Sequence, residues 1–376
     1  MKILLISTKV KLKIYACQIY TTGLIFTQFY YIINTMSFSV GIVGLPNVGK
    51  STLFKSLTKK EVDIGPFPFT TIKPNHGIVL VPDIRLQKIA EVIKPEKITP
   101  TIIEFVDIAG LVKNAYKGEG LGNQFLAQIR NCDAICEVVR AFKADKIKHV
   151  QGEIDPKRDI EIIKTELLMK DLETLESIIL KLEKKKDPLI QKKLQTLQKV
   201  KNAISKGIKV SEIQLTSEEK KEIKELQLLT EKPVFYIVNV GSEKKSKEAD
   251  PSLKINLKIE EEALELSSQD IQELDLKTQI PEIILSCYKI LDLITFYTIA
   301  GGKETRAWTL KRNSTAPQAG NIVHSDFKEK FIKAEVIDWK DLLEIGSWKT
   351  AREKGVLKTV GKDYIVQDGD VIEFKI

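Results

Sequence analysis

The chain has 376 residues, 43% of them apolar, which is ordinary for a soluble globular protein and enough for two or three domains with cores of their own. Its four cysteines, Cys17, Cys132, Cys136 and Cys287, make no Cys-x-x-Cys pair and no zinc spacing, which sets aside a zinc module and fits a reducing compartment. A net charge of +8 either favours a polyanionic partner such as RNA or reflects a lysine-rich proteome.

Residues 1–35 differ from the rest. Lys2, Lys9, Lys11 and Lys13 precede an apolar, aromatic stretch from Ile14 to Ile33 that superficially resembles a signal peptide or a membrane anchor. Gln18, Thr21, Thr22, Thr27 and Gln28 interrupt the stretch, no small-residue cleavage site follows, and it runs straight into Met36 and a strand. The expectation is an upstream, mis-assigned leader ahead of a functional protein that begins at Met36, with a true anchor or signal as the alternatives.

From Met36 to about Phe142 strands alternate with helices, as in a doubly wound α/β domain; strands are expected at Ser39–Val43, Gly77–Val81, Thr101–Asp107 and Ala134–Val139. Between the first of these and the helix-forming Thr52–Thr58 lies Gly44-Leu45-Pro46-Asn47-Val48-Gly49-Lys50-Ser51, a complete G-x-x-x-x-G-K-S phosphate loop. Its glycines let the backbone bend so that N–H groups converge on phosphate oxygens, and the helix N-terminus adds positive potential. The chain is therefore expected to bind a nucleoside triphosphate through Asn47, Val48, Gly49, Lys50, Ser51 and Thr52. Lys50 would reach the β and γ phosphates, and the Ser51 hydroxyl would ligate Mg²⁺. Asn47 either helps hold a potassium ion against the phosphates or makes a loop-stabilising Asx turn.

Farther along, Phe67-Pro68-Phe69-Thr70-Thr71 is a plausible first switch, with Thr71 the choice to complete the magnesium shell. The run Phe105-Val106-Asp107-Ile108-Ala109-Gly110 is an apolar strand delivering Asp107, a carboxylate that would hold Mg²⁺ through a water. Leu111 stands where many GTPases carry the glutamine that orients attacking water, and leucine cannot hydrogen-bond water.

Residues 155–232 are strongly helical and highly charged. Leu168, Leu172, Leu175, Ile179 and Leu182 form a heptad seam, and Ile190, Leu194, Leu197 and Ile204 continue it after Asp187-Pro188, which predicts an antiparallel helical hairpin interrupting the nucleotide domain. The domain resumes with a buried parallel strand over Pro233–Val240. This strand leads into Asn239-Val240-Gly241-Ser242-Glu243, where a guanine reader would have Asn-Lys-x-Asp; no such aspartate is present. In the last region, Ala307–Lys311, Lys333–Ile337, Asp363–Gln367 and Val371–Lys375 are expected strands of a small mixed sheet, with a tight turn at Asp368-Gly369-Asp370.

The segments GLPNVGKSTLF, PFTTIKPN, EFVDIAGLVKNAYKGEGLGNQFL and GKDYIVQDGDV, in this order, resemble the Obg-like ATPase (YchF) family, a branch of the Obg-related translation-factor class. The resemblance runs from Met36 to the C-terminus. It implies an α/β P-loop G domain at 36–154 and 233–290, a helical coiled-coil insertion at 155–232 and a TGS-like β-grasp domain at 291–376 that docks RNA or protein. It implies a preference for ATP over GTP through Asn239 and Val240; the extra Gly241 leaves the role of Glu243 open. It also points to His149 as the residue assisting hydrolysis, against the alternative of a surface histidine at a turn. Trp308, Phe327 and Trp339 either stack on bases or pack the core of the last domain.

The reading is a cytoplasmic, Mg²⁺-dependent, slow ATPase of the translation-factor class. It is expected to bind the ribosome, its large subunit or rRNA, and no membrane. Lys50, Ser51, Thr71 and Asp107 would carry the phosphate and metal chemistry. The rivals are a nucleotide-gated binding module with negligible turnover and a genuine GTPase.

Overall fold

The computed structural model describes residues 38–59, 75–108, 122–143, 149–150, 152–185, 187–241 and 253–376. Thr71, Gly110, Leu111 and Glu243 lie outside these residues, as do Met36 and the expected leader.

The chain enters on β1 (Ser39–Val43) and continues through α1 (Lys50–Lys59), β2 (His76–Leu80), α2 (Ile84–Ile93), β3 (Lys97–Thr99), β4 (Ile102–Asp107), α3 (Gly122–Arg130) and β5 (Ala134–Arg140). A long helical pair follows, α4 (Pro156–Leu182) and α5 (Pro188–Ile204), with α6 (Ser217–Lys224) behind it. Then come β6 (Val234–Asn239), β7 (Leu253–Ile255), α7 (Leu257–Glu262), α8 (Ser268–Glu273) and α9 (Ile280–Ile290). The remainder is β8 (Leu293–Ala300), β9 (Glu304–Lys311), α10 (Ala316–Val323), α11 (Ser325–Glu329), β10 (Lys333–Asp338), α12 (Trp339–Ile345), α13 (Trp348–Glu353), β11 (Lys358–Val360) and β12 (Asp370–Lys375).

The first sheet has the order β2-β4-β1-β5-β6-β7. It is parallel except for β2, which runs antiparallel to β4. Every residue of β1 and β5 is buried, as expected of central parallel strands covered on both faces. The strand expected over Pro233–Val240 is β6, alongside β5. Ile283, Ile284 and Cys287 of α9 share the core, with the helix packed on β5 and β6.

The expected hairpin is present and its ends are capped. The Asp155 carboxylate accepts from the Arg158 N–H ahead of α4, and Asp187 accepts from the Leu189 N–H ahead of α5, each with proline in the first turn. Leu175, Ile179, Leu197 and Ile204 are buried in its seam. At roughly 1.5–3 kcal/mol per buried aliphatic side chain, this seam outweighs exposed ion pairs such as Lys199–Glu219, which solvent screens. Midway along α4, buried Asp171 accepts from Leu229 N–H at 2.7 Å, Thr230 N–H at 2.8 Å and Thr230 Oγ1 at 2.7 Å. That fixes the hairpin to the segment that leads directly into β6.

The second sheet has the order β11-β10-β12-β8-β9-β3. The strands expected near Ala307–Lys311, Lys333–Ile337 and Val371–Lys375 appear as β9, β10 and β12. Asp363–Gln367 is not a strand. Its backbone is spent on a turn and a helix entry: Gln367 N–H donates to Asp370 Oδ2 at 2.8 Å, and the Tyr364 carbonyl accepts from Ala316 N–H at 2.8 Å. The sheet also takes β3 from the first half of the chain, parallel to β9. α2 joins it there, since Leu86 and Ile89 pack with Tyr297, Ile337, Leu342 and Val371. Arg85 completes the join by donating to Asp368 at 2.8 Å. Trp308 is a core residue, 8% exposed, while Phe327 and Trp339 are partly buried. No helix among the described residues is long and apolar enough to cross a membrane.

Candidate functional site

β1 ends where the chain must turn sharply, and the two loop glycines meet that demand for different reasons. A Cβ on Gly44 (φ +155°) would sit 2.5 Å from the Val138 carbonyl oxygen; one on Gly49 (φ +108°) would sit 2.7 Å from Asn239 Nδ2. Asn47 is exposed and left-handed at φ +64°. Beyond the loop, Leu53 N–H donates to the Gly49 carbonyl at 2.9 Å, opening α1 with its N-terminus toward the loop.

The chemistry gathers at that N-terminus. Lys50 Nζ donates to the Leu45 carbonyl at 2.9 Å, folding across the loop. β4 lies parallel to β1 with Ile42 opposite Asp107, which carries the carboxylate to Ser51; Ser51 Oγ donates to Asp107 Oδ2 at 3.4 Å. Burial pushes the Asp107 carboxyl above its ordinary range, opposed by the Lys50 charge and the Ser51 hydrogen bond. Burial likewise lowers the Lys50 ammonium, opposed by Asp107. Cation and carboxylate thus offset part of each other's burial cost. A hydroxyl and a carboxylate oxygen beside a phosphate loop suit Mg²⁺, which takes one or two protein oxygens and fills its octahedron with water and phosphate. No cluster of three or more His, Cys, Asp or Glu able to hold another metal occurs among the described residues.

From this loop a cleft of about 660 Å³ extends toward the ends of β5 and β6. Asn47, Gly49, Lys50, Ser51, Thr52, Asn239 and Val240 all line it. Val48 is buried beneath, 1% exposed, and lends its carbonyl rather than its side chain. Asn239 donates through Nδ2 to that carbonyl at 2.9 Å and accepts from Leu257 N–H at 3.3 Å. Both ends of its amide therefore tie the phosphate loop to β6 and α7. Asn239 is a buried staple in the cleft wall, and Val240 and Gly241 present the adjoining lining.

Several lining residues were not anticipated from sequence. Phe142 follows β5, with the buried Arg140 guanidinium 4.5 Å from its ring and Arg140 Nε donating to its carbonyl at 3.0 Å. Leu257 and Glu261 of α7 close the other side, and Glu261 pairs with Lys55 of α1 at 3.2 Å. An aromatic residue just beyond a strand end was the signal for Phe142; α7 carries no motif.

His149 is elsewhere. Its Nε2 lies 2.9 Å from Asp159 Oδ2 at the root of α4, with side chains 1% and 3% exposed, and it is not among the residues lining the cleft. The two atoms are in contact without the alignment of a hydrogen bond. Glu137 of β5 is also buried nearby, and its carboxyl is held well above the ordinary range by burial, with Lys209 opposing and Asp159 and Glu161 adding to the shift.

Comparison with known proteins follows the same outline. A family model described as a 50S ribosome-binding GTPase matches residues 39–171, and the model YchF-GTPase_C, described as a protein of unknown function, matches 293–376. The ribosome-binding ATPase YchF of Bacillus subtilis is 44% identical over 90% of this chain and 99% of its own length. Its counterpart from Escherichia coli O157:H7 is 44% identical with the same coverage. The solved structure of the Schizosaccharomyces pombe YchF GTPase superposes with a TM-score of 0.79 at 33% identity, covering 90% of this chain and 98% of that one. With a complete phosphate loop, a carboxylate delivered to its serine, and likeness running through both sheets and the hairpin, the chain belongs to the YchF family of P-loop nucleotide hydrolases.

Proposed function

We propose that this protein is a nucleotide-switched ATPase that binds ribosomes, as the names of its bacterial relatives say of them. The observation that carries the reading is the convergence of Lys50, Ser51 and Asp107 at the start of α1. In this reading Lys50 leaves the Leu45 carbonyl for the β and γ phosphates, and Mg²⁺, held by Ser51 and Asp107 with Thr71 completing the shell, screens the phosphate charge. Asn47 holds a potassium ion at the loop, its exposed left-handed position supporting that role. The division into a G domain at 36–154 and 233–290, an insertion at 155–232 and a TGS-like domain at 291–376 is part of the proposal, as is a cytoplasmic location.

Adenine is preferred over guanine. The described wall near the base, Asn239 to Gly241, offers backbone groups and an amide already engaged, and the carboxylate of Glu261 is paired with Lys55. A guanine N1–H and amine would lack the acceptor they need.

The burial of His149 against Asp159 favours a second reading, a nucleotide-gated binding module with negligible turnover. His149 assists hydrolysis only after leaving Asp159. Phosphate release measured alone and with purified ribosomes separates the two readings: ribosome-stimulated turnover supports the ATPase, and nucleotide-dependent ribosome binding without turnover supports the module.

A further inference from the structure

The hairpin carries an exposed feature at its far end that its own folding does not explain. Leu180, in the last turn of α4, is 63% exposed and Leu189, in the first turn of α5, is 79% exposed. Neither belongs to the seam, whose buried contacts near this end come from Ile179, with Leu182 and Leu194 partly buried. Around these leucines stand Lys181, Lys184, Lys185 and Lys192, all exposed, with only Glu183 and Asp187 as described acidic neighbours between positions 180 and 193. Asp187 is committed to capping α5 through Leu189 N–H at 2.8 Å. Lys192 is held by Glu218 at 2.5 Å, but Lys181, Lys184 and Lys185 make no ion pair with a described residue.

A side-chain contact also links the two helix ends. Gln191 Nε2 donates to the Lys185 carbonyl at 3.2 Å, bracing the connector across to α5, and both helices are packed along the seam behind it. A braced array of lysines loses little conformational freedom of its backbone when it meets a ligand. Elsewhere on the hairpin, lysines are neutralised by glutamates: Lys164 by Glu161, Lys170 by Glu173, Lys199 by Glu219 and Lys201 by Glu176. Positive charge is therefore left unbalanced at the end rather than along the shaft.

We propose that the hairpin tip is an RNA-docking surface, with Lys181, Lys184 and Lys185 meeting backbone phosphates and Leu180 and Leu189 lying against exposed sugar and base faces. Phosphate is the complement of an unpaired lysine cluster, and an apolar side chain on a rigid helix end suits the unstacked bases of RNA loops. The inference rests on the ribosome-binding reading and names the element of this chain that makes the contact.

The test uses the whole chain, carrying Lys181→Glu, Lys184→Glu and Lys185→Glu together in one variant and Leu189→Ser in another. Both probes are co-sedimented or titrated over a salt series: purified ribosomal subunits, and deproteinised rRNA extracted from them. The triple variant is expected to bind both probes at least about tenfold more weakly, and its log-affinity against log-salt slope to fall in magnitude by about two. Its melting temperature and its turnover without ribosomes should be unchanged, because these side chains are exposed and are not part of the seam. Wild-type protein that ignores ribosomes defeats the ribosome-binding reading itself. Wild-type protein that binds ribosomes, with the triple variant matching it in affinity and salt slope, overturns the tip proposal. Loss of binding in Leu189→Ser alone, with the lysine variant and naked rRNA showing no effect, assigns the tip to a ribosomal protein and also overturns it.

Discussion

The phosphate-loop cleft and the root of the hairpin are built from similar polar residues, yet they handle charge in opposite ways. In the cleft, Lys50 and Ser51 line open volume and Asp107 touches Ser51, so their contacts can be exchanged for phosphate or metal. At the hairpin root and midway along α4, His149, Asp159, Glu137 and Asp171 are sealed among packed helices and strands. Exchange there requires breaking structure. The difference teaches that a buried charged pair is weak evidence for chemistry and stronger evidence for fixing one element against another.

The largest break in this comparison comes from Lys50→Ala. Losing a charge-assisted contact to the phosphates should cost on the order of 3 kcal/mol, or about two orders of magnitude in Kd for ATP, while leaving the melting temperature close to wild type. Calorimetric titration and a thermal melt check both halves. Next is His149→Ala. If the histidine reaches the nucleotide after leaving Asp159, ATP affinity holds and turnover falls about a hundredfold, the lower end of what a positioned acid or base supplies. If it only accompanies Asp159, the melting temperature drops and turnover per folded molecule is unchanged, which would place His149 wholly on the structural side.

Asp171→Ala acts in the other direction, on stability and not on phosphate. It strands the buried N–H groups of Leu229 and Thr230, so the variant should lose about 2 kcal/mol in denaturant unfolding. Urea titration would contradict this with an unchanged midpoint.

The smallest effect concerns pH. Glu137 has its carboxyl raised by burial, so the unfolded chain releases that proton first as pH climbs. Stability contributed by the neutral form is complete below the ordinary carboxylate range and is lost as pH rises through the raised folded value. Glu137→Gln keeps the shape without the charge. The variant should therefore melt like wild type in acid and a few degrees higher in alkali. Superimposable melting curves across the pH series would dismiss the buried carboxylate as a source of strain.

How much of this was legible in the sequence follows from the range of the interactions. The phosphate loop was readable because its demands are local: Gly44 and Gly49 adopt backbone angles that exclude other residues, and Lys50 and Ser51 follow at fixed spacing. The hairpin was readable because its seam repeats and Asp187-Pro188 caps and breaks it. What the motifs did not specify depended on distant partners. β3 is three residues long and becomes a strand only because β9 lies beside it. Asp363–Gln367 alternates like a strand, yet Asp370 folds it into a turn. Asn239 lines the cleft as a base-contacting residue would, while its engagement with Val48 and Leu257 depends on residues 191 and 18 positions away. The burial of His149 likewise depends on where α4 packs, which no motif around the histidine specifies.

We propose that the cleft is an ATP site, because among the described residues its base wall has no carboxylate left to read guanine, Glu261 being paired with Lys55. Calorimetric titration of the full chain with ATP and with GTP, in Mg²⁺ and potassium, tests it most directly. The account predicts that ATP binds at least about tenfold more tightly, the loss expected when a buried base donor finds no acceptor. Equal constants, or a tighter one for GTP, would contradict it.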